Sequence, residues 1–223
     1  MLRKDIFEVL DLFREKFVVG LPTNATMHSR ITPALKERIS FANIGLDGPR
    51  NITSRIRGNY DRIMQGIRKF KALDIPISLS CVVLRSTADA MPFVCQIADV
   101  LEANKVKFIL PVPKGNALNL SDDEYLTPEE AQQLFLETSE LKRKYGWKTK
   151  LTMTTWTPEV EGYSILVYPN GETYAWPVYD QPDKVFHLGN LIAEPIETIW
   201  ERVPYKYKVN HLRKYLGESI LIS

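Results

Sequence analysis

The sequence predicts an α/β protein with two domains: a parallel sheet of about four strands with helices over residues 1–148, and a small α+β appendage with an antiparallel hairpin over residues 149–223. Helical and strand segments alternate four times before about residue 145. The strand segments are continuous apolar runs, which is typical of a parallel sheet buried on both faces. In residues 149–223 the alternation of helix and strand gives way to short predicted strands around the hairpin signal PNGE.

The elements of the first domain follow from local patterns. Apolar residues recur at helical spacing in residues 2–13, 57–73 and 89–104, with a shorter helix at TPALKERI. One further helix is marked at its start, because Thr127 as N-cap, Pro128 at the first helical position and Glu130 form a capping box. The predicted strands are FVVGLPTNA, FANIGL, ISLSCVVL and VKFILPVP.

In the second domain, LTMTTW, YSILVY and ETYAWPV are predicted strands, and the last two form the hairpin. Two short helices, EPIETIWERV and KYKVNHLRKYL, follow.

Composition excludes several classes of function. The net charge is only +2, and no basic run interleaves with aromatic residues, so we expect no nucleic-acid partner. The sequence contains no apolar window long enough for a membrane span and no signal peptide, so a cytoplasmic location is expected. Cys81 and Cys95 are the two cysteines, and both lie in apolar surroundings that suit buried free thiols. No metal site is predicted.

Small and polar residues follow each predicted strand of the first domain, in PTNAT, GLDGPR, LRSTAD and PKGNA. Ligands of parallel α/β folds bind at the carboxyl ends of the strands, although such residues also simply form turns. Ser78 and Ser80 are two apart in one strand and therefore share a face, where they meet ligand or water, or else bond to neighbouring backbone. Asp47 either contributes to such a ligand site or forms an Asx-type turn before Pro49.

Taken in order, these strand ends resemble the radical S-adenosylmethionine (radical SAM) superfamily. Thr23-Asn24-Ala25 resembles its Thr-Asn-Gly turn, and Gly45-Leu46-Asp47-Gly48 its Ser-x-Asp-Gly motif. Arg57-Gly58 resembles its Arg-Gly pair, and KFILPVPKGNA the end of its sixth strand. The tail, with Gly189-Asn190 and Ile199-Trp200, is similar to the appendage called SPASM or twitch.

The resemblance implies that residues 1–148 form a partial (β/α) TIM-like barrel. It also implies a parent reaction in which S-adenosylmethionine and a 4Fe–4S cluster generate a 5′-deoxyadenosyl radical that abstracts hydrogen from a peptide or small-molecule substrate. It places Gly45, Asp47 and Ser80 near the cofactor's ribose and Val112 beside its adenine. It places Thr23, Ser78 and Arg57 on the substrate side, with Arg57 alternatively solvated or paired with Asp61. No catalytic residue is assigned to this chain.

Several family features are missing. The chain contains neither C-x-x-x-C-x-x-C nor Gly-Gly-Glu-Pro, Gly45 replaces the family's serine, and Trp176 stands where many appendages have a cysteine. The start MLRKDIFEVL resembles the family sequence that follows Gly-Gly-Glu-Pro, so we expect an N-terminal truncation and no cofactor held by this chain alone.

Three hypotheses follow. The chain is an inactive fragment or degenerate member of the family, a non-catalytic module that binds a substrate or peptide, or a half-barrel that needs a partner chain. Loss of two strands would leave an unpaired edge at FVVGLP, which predicts a homo-oligomer that buries this edge.

Overall fold

The larger sheet contains five parallel strands in the order in which they occur along the chain, β1-β2-β3-β4-β5. The computed structural model describes residues 3–111, 115–154, 164–176 and 186–203. The strands of this sheet are β1 (Gly20–Thr23), β2 (Phe41–Gly45), β3 (Ile77–Val82), β4 (Lys105–Ile109) and β5 (Lys150–Thr154). The associated helices are α1 (Ile6–Phe13), α2 (Pro33–Lys36), α3 (Arg50–Arg57), α4 (Tyr60–Ala72), α5 (Met91–Val100) and α6 (Pro128–Tyr145), with 3-10 turns at His28–Arg30, Arg85–Ala90 and Asp122–Glu124.

The two faces of this sheet differ sharply. One face, here called the helix face, carries fully buried residues such as Ile44, Leu79 and Phe108, which form one core with apolar residues of α4 and α5. The opposite face, here called the polar face, carries the residues that alternate with these buried residues along each strand. Its members in register are Asn43, Ser78, Lys105 and Lys150 in one row, and Gly45, Ser80, Lys107 and Thr152 in the next.

Helix ends explain where the sequence prediction succeeded and where it was wrong. The capping box of α6 is confirmed: Glu130 donates its backbone N–H to the Thr127 hydroxyl at 3.2 Å, and Thr127 donates its own to the Glu130 carboxylate at 2.8 Å. The helix expected over residues 57–73 begins only at Tyr60. Gly58, at φ 92°, ends α3, and the Asn59 side chain caps α4 by accepting from the backbone of Arg62.

The smaller unit contains an antiparallel sheet of β6 (Ser164–Val167), β7 (Glu172–Trp176) and β8 (His187–Asn190), followed by α7 (Ile196–Glu201). The predicted hairpin between β6 and β7 is confirmed, and it turns through Gly171 at φ 84°. Ala175, Leu188, Ile199 and Val203 form its core. The 3-10 turn Gly115–Asn119 belongs to this unit. The predicted helix KYKVNHLRKYL lies outside the described residues.

The α/β class with a small antiparallel appendage is confirmed, and the parallel sheet has five strands where about four were expected. The added strand is β5, which pairs with β4 from Lys105–Lys150 to Ile109–Thr154. The larger compact unit comprises the chain up to Pro111 and the segment Ser121–Thr154. The domain boundary at residue 148 stays a prediction. In the described part of the chain, no helix combines the length and apolar character of a membrane span.

Candidate functional site

The carboxyl ends of β2 and β3 are joined by a buried ion pair between Asp47 and Arg57. Asp47 is 0% exposed, and Oδ1 accepts the backbone N–H of Val82 at 2.8 Å and Nη2 of Arg57 at 2.9 Å. Its Oδ2 accepts Nε of Arg57, so the pair is bidentate. The carboxylate thus links β2, β3 and the end of α3, which is a different role from the local turn considered in the sequence analysis.

One alternative in the sequence analysis paired Arg57 with Asp61, and the structure does not show this pair. Asp61 accepts instead from Arg50 on the exposed side of α3 and α4. The Arg57 side chain is 26% exposed and covers Gly45, where an added Cβ would overlap its guanidinium. The chain therefore positions a cation directly over the strand residue that the family resemblance placed beside the cofactor.

Ser78 and Ser80 share the polar face, as their spacing predicted. Ser78 is 7% exposed, Ser80 is half-buried, and Ser80 is in register with Gly45. Among the described residues neither hydroxyl has a hydrogen-bond partner, so both hydroxyls are available to a ligand or to water.

The two thiols lie away from this face. Cys81 is in register with Phe108 on the helix face, and Cys95 belongs to α5. Burial raises the pKa of the Cys81 thiol well above its usual value and that of Cys95 to about 12. Within residues 3–111, 115–154, 164–176 and 186–203, no three His, Cys, Asp or Glu side chains form a group that could hold a metal ion.

Neither a protein-family model nor a curated protein sequence matches this chain. Solved structures do. Hexahistidine-tagged anSMEcpe with bound AdoMet, which is S-adenosylmethionine, is 17% identical, with a TM-score of 0.69 over 89% of this chain and 60% of that chain. Streptococcus suis SuiB is 10% identical, with a TM-score of 0.74 over 92% of this chain and 54% of that chain. Native anSMEcpe with bound AdoMet and Cp18Cys peptide is 17% identical, with a TM-score of 0.69 over 89% of this chain and 63% of that chain.

The proteins in these structures are radical SAM enzymes. This chain has the radical SAM partial-barrel fold. The resemblance inferred from the strand ends, and the partial barrel with its appendage, are thus confirmed at the level of the fold. The chain spans 54 to 63% of the length of the three solved chains.

The radical SAM fold brings some of the predicted site residues together and separates others. Gly45, Asp47, Arg57, Ser78 and Ser80 lie together at the polar face. Thr23 is in register with Ile44, and therefore lies on the helix face, where its hydroxyl accepts the backbone N–H of Ala25 at 3.0 Å. Val112 lies outside the described residues, so its predicted contact with adenine stays a prediction.

The sequence analysis missed Lys105 and Lys107, which extend the polar face across β4. Both are half-buried, and Lys105 is in register with Lys150. Burial lowers the pKa of Lys107, and the charge of Lys105 lowers it further. The signal was visible in KVKFI, where polar and apolar residues alternate in a strand expected to be apolar throughout.

Proposed function

We propose that this chain forms the S-adenosylmethionine-facing and substrate-facing wall of a radical SAM site that acts on peptides. The observation that carries the proposal is the cluster of Gly45, Asp47 and Ser80 at the carboxyl ends of β2 and β3. Ligands of parallel α/β folds bind at this end. The solved structures that share the fold include ones described with bound AdoMet.

S-adenosylmethionine suits the residues of the polar face. The Ser80 hydroxyl can bond to a ribose hydroxyl, and Gly45 adds no side chain of its own beneath the Arg57 guanidinium. Asp47 acts through Arg57, because its carboxylate already accepts from Arg57 and Val82. In the family, S-adenosylmethionine supplies a radical that abstracts hydrogen from the substrate.

An iron–sulfur cluster does not suit the residues of this chain. Its two cysteines are buried, one on the helix face and one in α5, and the raised pKa of each thiol opposes the thiolate that a cluster needs. We therefore propose that this chain is not catalytic by itself, and that it is a fragment or a degenerate member of the family.

A peptide is the proposed substrate because solved relatives in fold are described with Cp18Cys peptide and with the precursor peptide SuiA. The substrate side of the site would be the polar face around Ser78, with Arg57 at its edge. Two alternatives remain proposals: a non-catalytic peptide-binding module in the cytoplasm, and a half-barrel completed by a partner chain.

The half-barrel alternative is favoured by β1, which among the described strands pairs with β2 alone. Its other edge can accept a strand, although Pro22 supplies no N–H there. This alternative predicts a homo-oligomer or a complex, and sedimentation that shows a monodisperse monomer would exclude self-association through this edge.

Titration calorimetry of the whole chain with S-adenosylmethionine tests the main proposal. We expect weak, saturable binding that Ser80→Ala reduces and that Ser29→Ala, an exposed control outside the sheet, leaves unchanged. Equal affinity of the Ser80→Ala variant, or no heat from the wild type at millimolar ligand, would contradict it. Peptide binding without S-adenosylmethionine binding would favour the module.

A further inference from the structure

Three lysines lie side by side on the polar face and form what we call the lysine group, Lys105, Lys107 and Lys150. Lys105 and Lys107 share the face because they are two residues apart in β4, at about 6.6 Å between Cα atoms. Lys150 is in register with Lys105 on the neighbouring strand, at about 4.8 Å between Cα atoms.

No carboxylate within the described ranges forms an ion pair with these lysines. Several other cations of the same unit do have acidic partners, for example Arg38 with Asp11, Arg57 with Asp47, Lys71 with Glu102, and Arg85 with Glu130. Like charges on neighbouring strands repel, and half-burial adds a desolvation cost for Lys105 and Lys107. The lysine group therefore destabilises the free chain, and an anion placed against it would remove that cost.

The hydroxyls around the lysine group suit a carboxylate. Ser78 is in register with Lys105, and Ser80 with Lys107. The first row therefore offers an ammonium and a hydroxyl donor side by side to the two oxygens of a carboxylate. The second row offers the Lys107 ammonium, because the proposed function assigns the Ser80 hydroxyl to the ribose. Arg57 does not compete for the same anion, because the Asp47 carboxylate already neutralises it.

The spacing of the two rows matches an extended peptide. Side chains on one side of an extended chain repeat every second residue, at about 6.6 to 6.8 Å, which is also the spacing of Lys105 and Lys107 in β4. A peptide with Asp or Glu at alternate positions can thus present one carboxylate to each row.

We propose that the lysine group, with Ser78, binds a peptide substrate that carries acidic residues at alternate positions. This inference rests on the peptide substrate of the proposed function and adds its charge and spacing. The resemblance to radical SAM enzymes assigned no role to the lysines of β4 and β5.

Fluorescence anisotropy with the whole chain provides the test. The probe is a labelled peptide with Glu at every second position, and its counterpart has Gln at those positions. We expect the Glu peptide to bind more tightly, and Lys105→Gln/Lys107→Gln to weaken its binding by about tenfold or more. The double variant Lys16→Gln/Lys144→Gln removes the same charge from exposed positions and should weaken binding by less than about twofold.

Equal affinity for the two peptides, or an equal loss of affinity for the Glu peptide in the two double variants, would overturn the inference. So would displacement of the labelled peptide by inorganic phosphate or an RNA oligonucleotide at a lower concentration than by unlabelled Glu peptide. Misfolding is checked by thermal unfolding, since Lys105→Gln/Lys107→Gln should keep or raise the Tm. S-adenosylmethionine titration of the wild-type chain separates the two proposals, because failure there with intact Glu-peptide binding counts against the cofactor site alone.

Discussion

The guanidinium of Arg57 lies directly over the Cα of Gly45, in the space that any side chain at position 45 would occupy. Asp47 holds the guanidinium there through two hydrogen bonds, and Asp47 is itself fixed by the backbone of Val82. The absence of a side chain at position 45 is therefore matched to the position of this arginine.

We predict that Gly45→Ser destabilises the chain by about 1–3 kcal/mol, because the added side chain must displace a guanidinium that is held at a buried carboxylate. Urea unfolding followed by circular dichroism would measure this. Ala72→Ser, at the exposed end of α4, is the control and should change little. If Gly45→Ser is as stable as the control, Arg57 does not hold the position described above.

Removing the cation of the buried pair should be costly. Arg57→Leu leaves the fully buried carboxylate of Asp47 without its cation and should cost about 3–5 kcal/mol in unfolding free energy. Asp47→Asn/Arg57→Leu should be more stable than Arg57→Leu alone, because the orphaned charge is then gone. Arg50→Leu breaks an exposed pair with Asp61 and should give no measurable change. If Arg57→Leu lowers the free energy of unfolding by no more than Arg50→Leu does, this prediction is contradicted.

Glu130 should make stability depend on pH in acid. The Arg85 guanidinium, and then the backbone N–H of Thr127, lower the pKa of Glu130 to about 2. Since the unfolded carboxyl titrates near its usual value, this stabilisation is complete above about pH 4.5 and is lost as the pH falls toward 2. Thermal unfolding between pH 2 and 7 should show a flatter pH profile for Glu130→Gln than for the wild type. Glu129→Gln, one residue earlier, should keep the wild-type profile.

Both thiols should be inert in the folded chain. Burial raises the pKa of Cys95 to about 12 and that of Cys81 well above its usual value, so almost no thiolate exists at pH 8. Alkylation by iodoacetamide, followed by mass spectrometry, should be at least about 1,000-fold slower than that of free cysteine. Both thiols should react rapidly in urea. Fast alkylation of the native chain would show that these cysteines are less buried than described.

Local signals in the sequence predicted helix and strand well where they were complete. The α6 helix was predictable because Thr127, Pro128 and Glu130 carry its start signal, and the β6–β7 hairpin because PNGE marks its turn. The break before α4 was missed because it depends on Gly58 and Asn59, two residues within a continuous helical pattern.

Long-range pairing was less predictable. The local pattern of LTMTTW predicts a strand but does not say which sheet the strand joins. The pairing of Lys150–Thr154 with Lys105–Ile109 assigns β5 to the parallel sheet. The sequence analysis placed Arg57 on the substrate side, or else in solvent or beside Asp61. Its partner in the structure is Asp47, which lies ten residues earlier on another element. The resemblance placed Thr23 on the substrate side, and the register assigns its side chain to the helix face, so its role in binding stays a prediction.

The order of the parallel sheet bears on how the chain is made. Each strand pairs with the next one along the sequence, as Gly20 does with Phe41 and Lys105 with Lys150. A chain that leaves the ribosome can therefore add one strand and helix at a time to the growing edge, without waiting for its C-terminal end. Folding during synthesis would then shield each apolar strand soon after it emerges, and a stalled ribosome would carry a partial sheet that is already native in its pairing.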